Sequence, residues 1–228
     1  MHGDPLQALI ALGDTTRRRV YEHVARQPGP VSREAAAAAT GIGRTLAAYH
    51  LDRLAAEGLL TVAYERRSGR TGPGAGRPAK VYARAEGEIA VSVPARDYHL
   101  AARLLADAAA DDPDGTTRRA LVAAAQRLGR EIAREAGPTP ELEALLRERG
   151  YEPYPDGSGV LRLRNCPFHA VAERHPEVIC EMNLALLRGV VEALDDPALT
   201  AALEPAPGRC CVALRHKAPT PAARPAAP

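Results

Sequence analysis

No run of apolar residues in this chain is long enough to cross a membrane. The opening residues Met1-His2-Gly3-Asp4-Pro5 carry neither a basic region nor a following apolar stretch, so no secretory signal is expected and the protein is expected in the cytoplasm. Lysine is almost missing, occurring only at Lys80 and Lys217; arginine supplies the remaining positive charge, a compositional bias and not an RNA-binding signature. Cysteine is absent before residue 166. What remains is a chain of 228 residues, enough for one large or two small domains with a sizeable core. Its net charge of +2 conceals an asymmetry. Residues 1–85 hold 13 basic and 7 acidic groups, and residues 86–228 hold 17 and 21. A positive field confined to the first part suits counterion release from a phosphate backbone, and the acidic remainder should avoid nucleic acid.

The stretch from Val31 to Tyr82 organises the rest. Ser32 is positioned to cap a short alanine-rich helix, Arg33 to Thr40, its hydroxyl accepting from the free N–H groups of the first turn. Gly41-Ile42-Gly43 breaks that helix. A second runs from Arg44 to about Glu57, with Ala47, His50, Leu51 and Leu54 on one face and Gly58 to stop it. Arg44, Thr45, Ala48, Tyr49 and Asp52 fall on the other face. The first turns of the second helix of such a pair can reach base edges in a major groove, which makes Arg44, Thr45 and Tyr49 the candidate readers. Two β-prone runs follow, Leu60 to Glu65 and Lys80 to Ala83, around a glycine-rich segment with charge and no apolar anchor. Arg66, Arg67, Arg70, Arg77 and Lys80 suit phosphate contact or entry into a narrow minor groove. A merely solvated loop is the alternative, and the preceding helix pair weighs against it.

From Leu6 to Tyr82 the phrases ALGDTTRRRVYEHV, TGIGRTLAAYHLDRLAAEGLL and GRPAKVY resemble winged-helix regulators of the ArsR and DeoR type. The resemblance implies a winged helix-turn-helix that binds double-stranded DNA as a dimer and acts as a repressor or activator.

Elsewhere the pattern is largely helical. Asp4-Pro5 opens a helix with a Leu6, Leu9, Ile10 and Leu12 stripe, and Asp14 caps another to about Gln27 with Val20, Tyr21 and Val24 inward. Arg17, Arg18 and Arg19 in its first turns oppose the helix dipole and suggest a partner outside the fold, phosphate being one and a solvated surface the alternative. A helix from Pro94 to about Ala110, with Tyr98, Leu100, Leu104 and Leu105 as its apolar side, resembles a dimerisation helix; Thr116 to Ala136 and Pro140 to Arg149 follow it. Helices between a DNA-binding head and a distal domain commonly build a two-fold interface, so a homodimer reading an inverted-repeat operator is expected, a monomeric spacer being the alternative. Tyr151 to Pro155 and Val160 to Arg164 read as a hairpin. A long helix then carries Ile179, Met182, Leu186 and Val190 on one side, and Leu199 to Leu203 and Cys210 to Arg215 are extended. The reading is α+β and mostly helical. It comprises a winged helix-turn-helix over 1–86, a helical linker and dimerisation region over 87–150, a small α+β effector domain over 151–217, and a proline-rich disordered tail over 218–228.

Cys166, Cys180, Cys210 and Cys211 all fall in that effector domain. In the reducing cytoplasm, clustered thiols read as metal-binding or redox-active before they read as disulfides. Adjacent strand residues point to opposite faces, so one of Cys210 and Cys211 is expected at a shared site. His169, three residues after Cys166, or His175, five before Cys180, could complete a set of four. The phrases RNCPFHAVAERHPEVICEMNLALLRG and PGRCCVAL resemble the effector domain of SufR-type iron–sulfur-sensing repressors. The resemblance implies an iron–sulfur cluster, [4Fe–4S] or [2Fe–2S], held by Cys166, Cys180 and Cys210 or Cys211. A cysteine that four-cysteine members carry between Cys180 and Cys210 is missing where this chain reads Val-Glu-Ala-Leu-Asp-Asp-Pro. A fourth ligand would then be a histidine, the second cysteine of the pair, or exogenous. Zinc or a thiol-oxidation switch remains an alternative, because soft ligands select zinc as well as iron–sulfur. A cysteine-dependent enzyme using Cys166 and His169 has no recognisable oxyanion motif or orienting group, and no enzyme activity is expected.

Overall fold

The computed structural model describes residues 5–65, 78–92, 96–137, 141–196 and 198–216. It is α+β, about half helical with two small antiparallel sheets, and it divides into two compact units, residues 1–96 and 97–228. The glycine-rich arginine segment 66–77 and the tail from 218 lie outside the described residues.

The first unit contains α1 (Pro5–Ala11), α2 (Thr15–Ala25), β1 (Val31–Ser32), α3 (Arg33–Thr40), α4 (Arg44–Ala56), β2 (Leu60–Glu65) and β3 (Ala79–Arg84). Ser32 caps α3 as expected, its hydroxyl accepting from the Ala35 N–H at 3.2 Å. The helix ends because Gly41 turns left-handed at φ 68°, a conformation that a Cβ disfavours. The expected inner face of α4 is buried: Ala47, His50, Leu51 and Leu54 are all at most 4% exposed. Burying leucine side chains to this degree contributes about 1.5–3 kcal/mol each. Strand β3 is central in the order β1-β3-β2, and Tyr82 stands opposite both Val31 and Val62.

In this unit the large apolar residues of α1 face outward and the arginines of α2 bond to groups of the unit itself, for identifiable reasons. On α1 the small residues Ala8 and Ala11 are buried while Leu9 and Ile10 are exposed, since alanine lets the helix approach the core closely. The arginines of α2 find partners inside the unit. Arg17 lies 3.7 Å from Asp14, Arg18 donates to the Leu12 carbonyl at 2.9 Å, and Arg19 donates to the Thr40 carbonyl at the end of α3 at 2.7 Å. Unpaired carbonyls at a helix C-terminus are good acceptors for a cation, so Arg18 and Arg19 need no external phosphate.

The second unit contains α5 (Tyr98–Ala110), α6 (Thr116–Glu135), α7 (Leu142–Glu148), β4 (Pro153–Pro155), β5 (Val160–Leu163), α8 (His169–Ala172), α9 (Pro176–Ala193), β6 (Leu199–Leu203) and β7 (Val212–His216). Its antiparallel sheet runs β4-β5-β7-β6. The middle helices and the cysteine-bearing sheet thus belong to one compact unit. Pro176 starts α9 at a position where its missing N–H costs nothing. This helix is buried on more than the single expected side: Val178, Asn183, Leu184 and Leu187 join Ile179 and Val190, because α6 covers one face and the sheet another. On α5 the inversion seen in α1 recurs. Ala106 and Ala109 are buried, whereas Tyr98, Leu100, Leu104 and Leu105 are exposed.

Helices α6 and α9 touch backbone to backbone. A Cβ added at Gly129 would stand 2.0 Å from the Leu186 carbonyl oxygen, and one at Gly189 would stand 2.1 Å from that of Gln126. Around this crossing Gln126 donates to Glu192 at 2.7 Å, Arg130 pairs with the same carboxylate at 3.0 Å, and Arg118 pairs with Glu181. Gly129→Ala and Gly189→Ala should each destabilise the second unit by about 1–3 kcal/mol or more, since rigid carbonyls cannot give way as a flexible side chain can. Chemical denaturation checks this, and unchanged midpoints for both variants would show that the helices are not in contact.

Candidate functional sites

The exposed side of α4 forms the first site. Arg44, Thr45, Leu46 and Tyr49 are exposed and Ala48 is half-buried, so the candidate base readers of the sequence do share an accessible surface. Arg44 reaches Glu34 in the first turn of α3 at 2.7 Å with 71% of its side chain exposed. An exposed pair of this kind contributes about 0–1 kcal/mol, which a competing anion can displace. His50, behind them, is buried against Tyr49 and its imidazole is held toward neutrality by burial.

Asp52 and Lys80 behave differently from expectation. Lys80 and the Tyr82 hydroxyl, the latter at 2.6 Å, donate to one carboxylate oxygen of Asp52, and Arg33 donates to the other at 3.1 Å. Arg33 also donates to the Tyr82 oxygen at 3.1 Å. Burial alone would raise the Asp52 carboxyl, yet the bonds from Lys80 and Tyr82 outweigh it and hold it below its ordinary range. This cluster ties α4 to β3 and α3. Lys80 is therefore committed to Asp52 inside the unit, where the sequence reading had given it to phosphate. Arg66, Arg67, Arg70 and Arg77 lie outside the described residues.

The second site gathers the four cysteines. Cys166 follows β5, and its carbonyl accepts the His169 N–H at 3.0 Å as α8 begins. Cys180 sits on α9. Cys210 and Cys211 are pinned between strands: the Cys210 N–H donates to Leu163 of β5 at 2.9 Å, and the Cys211 carbonyl accepts from Glu204 after β6 at 2.7 Å. The pair precedes β7, so strand alternation does not divide it. Both thiols turn to the same cluster, which runs as a chain of neighbours from Cys166 to Cys210, then Cys211, then Cys180. Cys210 is buried, the other three are half-buried, and all four are free.

Asn183, which the sequence reading did not single out, stands at the inner end of this chain and is fully buried. Tyr151 donates its hydroxyl to Asn183 Oδ1 at 2.5 Å, which fixes the amide so that Nδ2 faces the sulfurs, 3.3 Å from Cys210 Sγ and 4.0 Å from Cys166 Sγ. Hydrogen bonds from the Cys166 and Cys211 thiols, helped by Asn183, draw the Cys210 thiol well down from its usual range. The same bonds, together with burial, push Cys166 and Cys211 up. Physically, the cluster accepts one negative charge readily and resists a second. The one signal for Asn183 in the sequence was a lone amide amid the apolar run ICEMNLALL, one turn after Cys180.

Neither histidine joins the thiols. His169 is exposed and lies 3.2 Å from Glu173, and His175 Nε2 lies 2.7 Å from Asp107 of α5. Among the described residues no three Cys, His, Asp or Glu side chains are arranged to hold a metal ion. The donor chemistry of the set nevertheless fits a soft metal, and a centre using several of these sulfurs would have to part groups now in mutual contact.

Asn183→Ala should cost about 1–3 kcal/mol, because the buried Tyr151 hydroxyl loses its acceptor and Cys210 its amide donor. Combining it with Tyr151→Phe should recover part of that loss. Denaturation of the single and double variants checks this, and simple additivity of the two losses would disprove a shared hydrogen-bond chain.

No protein-family model, curated protein or solved structure matches the chain.

Proposed function

We propose that this protein is a homodimeric, sequence-specific DNA-binding transcription regulator, a repressor in the first instance, whose thiol cluster senses iron–sulfur or redox status. The single observation that carries the DNA-binding half is the exposed face of α4, bearing Arg44, Thr45 and Tyr49, braced by the Asp52 network against the β2–β3 hairpin. In this reading α3 and α4 form a helix-turn-helix, α4 enters the major groove, and the hairpin with Arg66, Arg67, Arg70 and Arg77 is the wing that follows the backbone. The excess of positive charge in residues 1–85 supports it.

A second copy of the chain is the partner that the exposed apolar faces favour. Leu9 and Ile10 on α1 and Leu100, Leu104 and Leu105 on α5 are exposed while the alanines of the same helices are buried. Large apolar groups left outside while small ones go in suit a face that another subunit covers.

For the sensing half, Cys166, Cys180, Cys210 and Cys211 are the residues that would hold an iron–sulfur cluster or, in the alternative, zinc. Such a group would supply electron transfer or a structural cross-link when bound. The chain's own contribution is a set of neighbouring thiols and a fixed amide at Asn183 that donates to sulfur. His169 and His175, being engaged by carboxylates, are the weaker candidates for a fourth ligand.

Selection of bound duplexes from a random pool should yield an inverted repeat with half-sites about one helical turn apart. Arg44→Ala should then cost about 1–3 kcal/mol and relax preference at one base pair, whereas Arg70→Ala should weaken all duplexes alike and reduce the salt slope by roughly one. Unchanged operator affinity in Arg44→Ala protein would remove α4 as the reading helix.

A further inference from the structure

The thiol chain has one end that opens outward. Cys180 lines a cleft of about 400 Å³ along α6 and α9, together with Arg118, Gln126, Glu177, Glu181 and Arg188. At its inner side Cys180 neighbours Cys211, which neighbours Cys210. Cys210 is buried and none of Cys166, Cys210 and Cys211 lines this cleft, so a reagent entering it meets Cys180 first.

The charges of the cleft are mixed. Arg118 is engaged, pairing with Glu181 and donating to the Glu177 carbonyl at 2.9 Å. Arg188 is exposed and has no ion-pair partner among the described residues, and the Glu177 carboxylate is exposed, 3.9 Å from His175 Nδ1. A lone guanidinium and an outward carboxylate flanking a thiol match a molecule that carries both a carboxylate and an ammonium beside sulfur.

We propose that Cys180 is the entry thiol for exchange with a low-molecular-mass disulfide of amino-acid or peptide type, and that Cys211 is the resolving thiol. The Cys180 thiolate attacks one sulfur of the small disulfide, forming a mixed disulfide and releasing the other half as its thiolate. Cys211 attacks the Cys180 sulfur of that mixed disulfide as its own proton passes to the departing half. The Cys180–Cys211 bond forms, the second half leaves as a thiolate that takes up a proton, and the protein is oxidised by two electrons while the small disulfide is reduced to two thiols. Arg188 receives the carboxylate end of the reagent and Glu177 its ammonium. The proposal does not require the metal centre: the same sulfurs carry out the exchange when metal-free.

The test uses the full-length chain, verified free of metal, treated with glutathione disulfide and in parallel with the uncharged hydroxyethyl disulfide. Peptide mapping by mass spectrometry follows the reaction over time. The first adduct is expected on Cys180, followed by its loss and the appearance of the Cys180–Cys211 disulfide. Cys211→Ser protein should accumulate the Cys180 adduct, and Cys180→Ser protein should react about tenfold more slowly or less. Arg188→Ala should slow glutathione disulfide several-fold and leave the uncharged reagent unaffected. A first adduct on Cys166, Cys210 or Cys211 would overturn the entry assignment, and it can be read on wild-type protein if a variant fails to fold. Resolution in Cys211→Ser at the wild-type rate would overturn the second step, and equal sensitivity of both reagents to Arg188→Ala would overturn the recognition. Protein that never takes metal yet follows this order removes the metal centre and leaves the exchange standing.

Discussion

Two glycines set the distance between α6 and α9, and the second unit is built on that distance. With hydrogen at both Gly129 and Gly189 the backbones meet, and α9 is held by α6 on one face and by the sheet on another. A helix pinned on two sides has little freedom to rotate. Cys180 and Asn183, one turn apart on it, are consequently fixed toward the segment that carries Cys210 and Cys211. The cleft beside Cys180 runs along the same two helices, with Leu203 of β6 completing its wall.

The first unit solves a comparable problem with charge. The outer face of α4 is exposed and gives the helix no support, so its orientation is fixed from its edge. Asp52 does this by accepting from Lys80, Tyr82 and Arg33 at once, coupling α4 to the central strand and to the helix before it. The carboxylate is only partly buried, so the value of the cluster lies in direction more than in net stability. Arg44, in one exposed ion pair with Glu34, and Tyr49, edge-on to His50, are left on the exposed face.

Much of this was legible in the residues. Ser32 as a cap, Gly41 as a stop and the Ala47, His50, Leu51, Leu54 face of α4 follow from local rules, because caps and periodicity act within a turn or two of chain. Partners separated by long stretches of sequence were not legible. Lys80 looked like a phosphate ligand because nothing local to it reveals Asp52, and Arg18 and Arg19 looked unsatisfied because the carbonyls they reach are made by folding. The stripes of α1 and α5 were recognised, but hydrophobicity alone does not say whether large side chains face the chain's own core or a surface outside it. In both helices alanine goes inward. Asn183 escaped notice since an amide inside an apolar helix gains its meaning from Tyr151 and the sulfurs, which lie far away in sequence.

In the proposed function, the state of the thiol cluster governs how well the first unit would hold DNA. Coupling requires the cluster's occupied and empty states to favour different arrangements of the chain, because a group bound equally in both shifts nothing. The direct measurement purifies the full-length protein without oxygen, records its absorption spectrum with iron, sulfide and zinc content, and determines operator affinity before and after the metal is removed. A thiol-held centre and a change in affinity of about 5–150-fold, the usual range of allosteric coupling, are expected. Protein that binds the operator equally well whatever the state of its thiols would contradict this coupling.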